Sequence, residues 1–168
     1  MYFFTGDEHI DHKNVIRYCN RPFNDPDEME KELVSNHNNV VKASDTVIHA
    51  GDLTLGRKEV AVRYIKQLNG KHVFLKGCHD RWLSGKALQI WSKMIDGQFV
   101  VVCHWAMKTW ARKHYGSVQL FAHSHGNLIL TPEEAMCQYD IGVDNSNFFP
   151  NSFEQIKDIL NGKKENLH

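Results

Sequence analysis

Five short apolar runs end in the same kind of residue, and that repetition constrains the fold more than any other property of the chain. "YFFT" (2–5) leads to Asp7 and His9, and "TVIHA" (46–50) leads to Asp52. "HVFLK" (72–76) leads to Cys78, His79 and Asp80, "QFVVVC" (98–103) to His104, and "VQLFA" (118–122) to His123 and His125. Short apolar runs bounded by turn residues read as buried strands. A sheet whose strands deliver polar side chains at their carboxyl ends gathers them in one crevice. The spacing of two in "DEH" and "HSH" turns both outer side chains to the same side of an extended segment.

Helical patterns separate the early runs. "KNVIRYC" reads as a short helix. The next helix starts at Asp25 as N-cap with Pro26 at its first position and Glu28 completing a capping box. "EVAVRYIKQL" (59–68) closes at Asn69-Gly70, a further helix is expected around 86–94, and "LIL" (128–130) is a candidate to pair beside "VQLFA". "CQYDIGV" (137–143) is strand-like, and "SFEQIKDIL" (152–160) is a closing helix with Ser152 and Gln155 as its capping box. The order is β-α-β-α-β early and strand-rich late. It predicts an α/β (α+β) chain with a mixed sheet or paired sheets and helices outside.

At 168 residues the chain is read as a single domain, 1–168, large enough to bury a core without disulfides. Lys plus Arg and Asp plus Glu each number 20, so bulk charge gives no signal for nucleic acid or an anionic membrane. No apolar run approaches a bilayer span. "MYFFTGDEH" turns acidic too early for a secretory signal, and the four Cys lack CxxC pairing. Those features predict a cytoplasmic protein with reduced thiols. The unusual count is eleven His, the commonest imidazole donors to transition metals. His49 and His72 lie inside strands and read as packed or surface residues, while His12, His37, His114 and His168 read as solvated.

Each cluster alone has an ordinary explanation: Gly51-Asp52 is a turn, and "HSHG" is a turn carrying exposed imidazoles. Chance does not readily place such clusters at five strand ends. Two carboxylates (Asp7, Asp52), four imidazoles (His9, His104, His123, His125) and the Cys78 thiol exceed the donors one tetrahedral zinc takes. They suit two ions sharing a bridging group, with Asp52 on the loop between the two sets. In such sites the ions sit ~3.5–4 Å apart and clamp a displacement at phosphorus, which favours phosphoester over peptide hydrolysis.

The run D-x-H (Asp7, His9), GD (Asp52), G-C-H-D (77–80), a lone His104 and H-x-H (His123, His125) resembles the calcineurin-like metallophosphoesterase superfamily, in order, from residue 2 to residue 126. "HKNVIRYCNRPF" and "EMEKEL" resemble a small bacterial and phage branch of it. The resemblance implies a two-sheet β-sandwich flanked by helices. It implies that Asp7, His9, Asp52 and His125 hold one divalent ion (Mn, Fe, Zn or Ni), and that Asp52 bridges to a second completed by position 78, His104 and His123. It also implies a hydroxide between the ions as nucleophile. His79 would then bind the phosphoryl oxygen or protonate the leaving alkoxide, with Asp80 orienting its ring.

The family pattern has Asn where this chain has Cys78. Three readings of Cys78 stand side by side: a thiolate ligand favouring zinc, a protonated thiol beside a water, or a substitution introduced into the chain. A cysteine-nucleophile reading is weaker, because adjacent residues rarely face each other and the other clusters would be idle. Ala122 replaces a usual Gly, and Cys103 should face away from the site and pack.

Substrate contacts are read from "HWAMKTWARKHYGSV" (104–118), where Lys108, Arg112 and Lys113 would hold phosphate and Trp105, Trp110 or Tyr115 would stack a base. The competing reading has the Trp residues covering the core and the cations solvated. Arg21 is a second phosphate-contact candidate. The expected activity is phosphodiester hydrolysis on nucleotides or other small, exposed phosphoesters. A non-catalytic scaffold and an amide hydrolase are the rivals.

Overall fold

The computed structural model describes residues 1–85 and 87–165. Its first sheet has the order β3-β2-β1-β8, with β1 (Tyr2–Thr5), β2 (Thr46–His49) and β3 (Lys71–Phe74) parallel and β8 (Asn151–Ser152) antiparallel to β1. The second has the order β4-β5-β6-β7, formed by β4 (Ile90–Ile95), β5 (Gln98–Cys103), β6 (Val118–Phe121) and β7 (Gln138–Asp140). There β4 and β5 are antiparallel, and β5, β6 and β7 are parallel. The architecture is therefore two mixed sheets flanked by helices.

The sheets meet through one core of Phe4 and Ile48 from the first and Val100, Val102 and Leu120 from the second, closed by Phe153, Ile156 and Leu160. Period-2 alternation selects these positions: Phe4 faces the partner sheet while Phe3 packs on the other side with Val41 and Val47. Each fully buried Phe, Ile or Leu contributes roughly 1.5–3 kcal/mol. A second core of Ile10, Met29, Leu33, Leu53, Ala61 and Tyr64 packs α2 (Pro26–Val40) and α3 (Lys58–Ile65) against the loops that follow β1 and β2.

Local signals account for most boundaries. Asp25 accepts from the Glu28 amide at 2.8 Å and Pro26 opens α2, but the Glu28 carboxylate reaches one residue further back, to the Asn24 amide at 2.6 Å. Ser152 and Gln155 cap the closing helix (Phe153–Glu165) reciprocally, at 3.2 and 2.8 Å. α1 (Lys13–Tyr18) buries Val15.

The helix expected around 86–94 starts at a residue outside those described, and from Ile90 the chain is instead strand β4. Apolar Ile90, Trp91, Met94 and Ile95 mimic a helical stripe. Asp96 and Gly97, both left-handed at φ 46° and 79°, instead form the two-residue loop that turns β4 onto β5, with Ile95 opposite Gln98. "LIL" forms no strand. His37, expected to be solvated, is buried under α2 with its Nε2 2.9 Å from the Asn69 carbonyl. His168 lies outside the described residues. Within those described, no helix is long and apolar enough to cross a membrane.

Candidate metal centre

The loops after β1 and β2 stay zipped beyond their strands. The amides of Asp7, His9 and Ile10 donate to the carbonyls of Gly51, Asp52 and Leu53 at 3.0, 3.0 and 2.8 Å. That ladder carries Asp7 and His9 to the side of Asp52. The loop after β3 is drawn in by Asp80, which is fully buried and accepts four hydrogen bonds, from the Asp52, Leu53 and Gly77 amides and the Trp82 indole, at 2.6–2.9 Å. The approach is so close that a Cβ on Gly51 would lie 2.6 Å from the Gly77 nitrogen, and one on Gly77 would strike the Asp52 carboxylate. Second-sheet loops complete the cavity, with the Ala122 amide on the His104 carbonyl at 3.0 Å.

Seven side chains fall into two groups. Asp7, His9 and His125 each offer a donor atom within 4.8 Å of the others, and so do Asp52, Cys78, His104 and His123. Asp52 Oδ2 faces both, 3.8 Å from His9 Nε2 and 3.4 Å from His104 Nε2. Both Asp7 carboxylate oxygens, both His9 ring nitrogens and His104 Nε2 are buried without a hydrogen-bond partner. Buried polar atoms are normally paired, so this set of orphans fits a cation. The backbone agrees: Asp7, His9, Asp52, His123 and His125 all take left-handed φ values, between 48° and 70°. Conformations of this kind cost free energy and cluster at functional sites.

The electrostatics lack positive charge. Burial pushes the Asp7 carboxyl well up, helped by Asp140, Asp52 and Glu8. His9 is pushed down to about 3, chiefly by burial. Burial also raises Asp52, but the adjacent His104 imidazole and the hydrogen bond from the His79 amide outweigh it and bring the carboxyl down to about 2. A bound cation would hold all three in their donor forms.

Fixed partners orient the imidazoles. His104 Nδ1 lies 2.9 Å from the Ala50 carbonyl, which aims Nε2 into the cavity. His125 Nδ1 lies 2.7 Å from Asp144 Oδ2, leaving its Nε2 free. Cys19 also lies near His125 and Asp144, and burial pushes its thiol up toward the neutral form. His79 hangs over the opening with its side chain 46% exposed, its amide on Asp52 Oδ1 at 2.8 Å and its ring 5.6 Å from that of His9.

Two expected roles are corrected. Asp80 makes no hydrogen bond to the His79 ring; its two oxygens are spent on the loop. Arg21 is not a phosphate contact: its side chain is 0% exposed and binds both Asp144 oxygens and the Asp7 and Glu8 carbonyls. Lys108 points to solvent and pairs with Glu134 at 2.8 Å. Trp110 is buried with its indole on Ser117, whereas Trp105 is 38% exposed beside His104 and His123. Cys103 is buried as expected.

Sequence reasoning missed Asp144, Asp140, Glu8 and His12. Asp140 ends β7 and accepts from the Gly126 and Gly142 amides, so the strand-end rule applied to "CQYDIGV" finds it. His12 packs 5.4 Å from the His9 ring and carried no local signal.

No family model matches the sequence. An uncharacterized protein of Methanocaldococcus jannaschii is 43% identical over 82 residues, 48% of this chain and 47% of that one. The chain thus spans about half the length of the curated relative it matches. A crystal structure of a protein of unknown function from Aquifex aeolicus overlays with TM-score 0.70 at 20% identity, covering 95% of this chain and 98% of that one, which establishes a shared fold. A zinc complex of Vps29 from Entamoeba histolytica overlays at TM-score 0.48 and 14% identity over 84% of this chain and 72% of its own.

Proposed function

We propose that this chain is a dinuclear metal-dependent phosphoesterase of the calcineurin-like kind, acting on phosphodiesters such as nucleotides or related small phosphoesters. The observation that carries the reading is Asp52 Oδ2, a single oxygen facing His9 Nε2 at 3.8 Å and His104 Nε2 at 3.4 Å. An oxygen shared by two donor groups is what a bridged pair of ions requires. Asp7, His9 and His125 would hold one ion, and Cys78, His104 and His123 the other, with Asp52 between. Two divalent ions there would supply Lewis acidity toward a phosphoryl oxygen and make water a nucleophile at neutral pH.

The chain's own residues do the rest. His79 is anchored through its amide to Asp52, and its half-exposed ring stands at the opening with Nε2 3.9 Å from Asp52 Oδ2. As the new P–O bond forms and the bond to the leaving alkoxide breaks, His79 gives its proton to that alkoxide. Asp80 keeps the loop, and so His79, in register with Asp52. Access is open, which suits small or exposed esters, and Trp105 offers an aromatic face at the rim.

The test is turnover of a bis-aryl phosphodiester and an aryl phosphomonoester with added Mn²⁺. Diesterase activity that is lost in His79→Ala while bound metal is kept supports the reading. Metal-replete protein with no turnover of either ester overturns it.

A further inference from the structure

The two donor groups differ in chemistry and in completeness. Asp7, His9 and His125 offer one carboxylate and two imidazoles, whereas Asp52, Cys78, His104 and His123 offer a carboxylate, two imidazoles and a sulfur. Asp52 faces both groups but stands nearer His104 than His9 and belongs with the former; the three protein donors of the other group leave a coordination place open, as at catalytic zinc sites. Four close a tetrahedron, as at structural ones.

The distances follow the same division. Zn–S of about 2.3 Å and Zn–N of about 2.0–2.1 Å at a tetrahedral angle put sulfur and nitrogen about 3.6 Å apart. Cys78 Sγ and His123 Nδ1 are 3.6 Å apart. The corresponding oxygen–nitrogen edge is about 3.4 Å, and Asp52 Oδ2 lies 3.4 Å from His104 Nε2. Toward the other group the same oxygen stands off at 3.8 Å from His9 Nε2. His104 is fully buried with Nε2 unpartnered and aimed at this position.

We propose that Asp52, Cys78, His104 and His123 form a closed, zinc-selective tetrahedral position with Cys78 bound as its thiolate, and that Asp7, His9 and His125 form the open, exchangeable position. The thiol proton passes to solvent as the ion binds. A soft thiolate discriminates for zinc against manganese and magnesium, so the two places fill in order and with different ions. The inference rests on the metal centre of the proposed function and assigns its division of labour.

The test uses the full chain, stripped with chelator and titrated with cobalt(II). The expected result is a near-ultraviolet thiolate-to-cobalt charge-transfer band that grows to one equivalent and then stops. One equivalent of zinc bleaches it, and excess manganese does not. The band is absent in Cys78→Ser and kept in His125→Ala. Cys78→Ser should bind its first zinc more weakly by more than the roughly 10–100-fold that loss of an outer partner costs. Cobalt binding without the band in wild type, or first-zinc affinity unchanged in Cys78→Ser, overturns the assignment. Phosphodiester turnover is read separately. A band without turnover keeps the assignment and sinks the phosphoesterase reading, and turnover without the band does the reverse.

Discussion

Asp144 grips His125 at Nδ1, 2.7 Å away, while Arg21 holds the same carboxylate with two hydrogen bonds of 2.7 Å. The chain Arg21–Asp144–His125 presents one imidazole nitrogen to the centre in a fixed tautomer, the usual outer arrangement behind a metal-binding histidine. Asp144→Asn keeps the shape and removes the charge. It should weaken manganese binding at the Asp7, His9 and His125 position by about 10–100-fold, and because it leaves the buried Arg21 guanidinium without its anion it should also lower the unfolding midpoint of chelated protein. Isothermal titration of stripped protein measures it, and equal affinity in mutant and wild type would refute the positioning role.

Arg21 has a different weight. Removing its guanidinium strands the buried Asp144 charge and the carbonyls of Asp7 and Glu8. Breaking a buried pair from one side costs about 3–5 kcal/mol. Arg21→Ala should therefore lower stability in urea unfolding by that order, with Asp144→Asn partly restoring it in the double variant. A loss below 1 kcal/mol, on the order of an exposed ion pair, would mean the network contributes little.

How much of this was legible in the sequence depends on whether the signal is local. Strand ends, the Asp25 and Ser152 caps and the seven donor side chains all sit where short-range pattern puts them. The β4–β5 hairpin was misjudged because apolar spacing outvoted Asp96-Gly97, a turn signal two residues long. Arg21 and Asp80 were assigned roles by analogy with exposed phosphate and imidazole contacts. Their actual partners lie 123 and 27–28 residues away, Asp144 for one and the Leu53 and Asp52 amides for the other, and only the folded chain brings those together. His49 and His72 carry no motif because their partners are each other and Glu8, and His37 because its partner is the Asn69 carbonyl.

Gly77 is held by proximity. A Cβ there collides with the Asp52 carboxylate and amide, both backbone-anchored and unable to retreat. Gly77→Ala should push the Cys78–Asp80 loop off Asp52. Zinc retention should then fall together with stability, by roughly 1–3 kcal/mol for an overpacked site. Metal content after dialysis and a urea curve report both. Full zinc retention at wild-type stability would show that the two loops are not in contact.

His79 separates chemistry from binding. Its amide donates to Asp52 at 2.8 Å while its ring Nε2 stands 3.9 Å from the same carboxylate, so His79→Gln should keep bound metal while turnover falls by about 10²–10⁴, the worth of a general acid. Equal loss of metal and turnover would assign the ring to coordination instead.

A buried chain runs behind the centre: Glu8 Oε1 to His49 Nδ1 at 2.6 Å, and His49 Nε2 to His72 Nδ1 at 3.0 Å, with the His37 ring 5.5 Å from that of His72. Burial pushes Glu8 up to about 8 and brings His49 down to about 3 and His37 and His72 to about 4. Below about pH 6.5 the unfolded chain takes up histidine protons that the fold refuses, so stability drops as pH falls toward 4. Between about 4.5 and 8 the fold keeps the Glu8 proton that the unfolded chain has lost, so this group alone makes stability fall as pH rises. Three histidines outweigh one carboxyl on the acid side, and above about 6.5 only the carboxyl is left of these four. His9, also lowered, steepens the acid fall. Urea midpoints of chelated protein should therefore peak near pH 6–7. Stability should be lower by roughly 2 kcal/mol at pH 5, and Glu8→Gln should flatten the alkaline limb and steepen the acid one, where Glu8 opposes the histidines. Midpoints that do not change between pH 5 and 8 would mean that this chain is not held neutral in the folded protein.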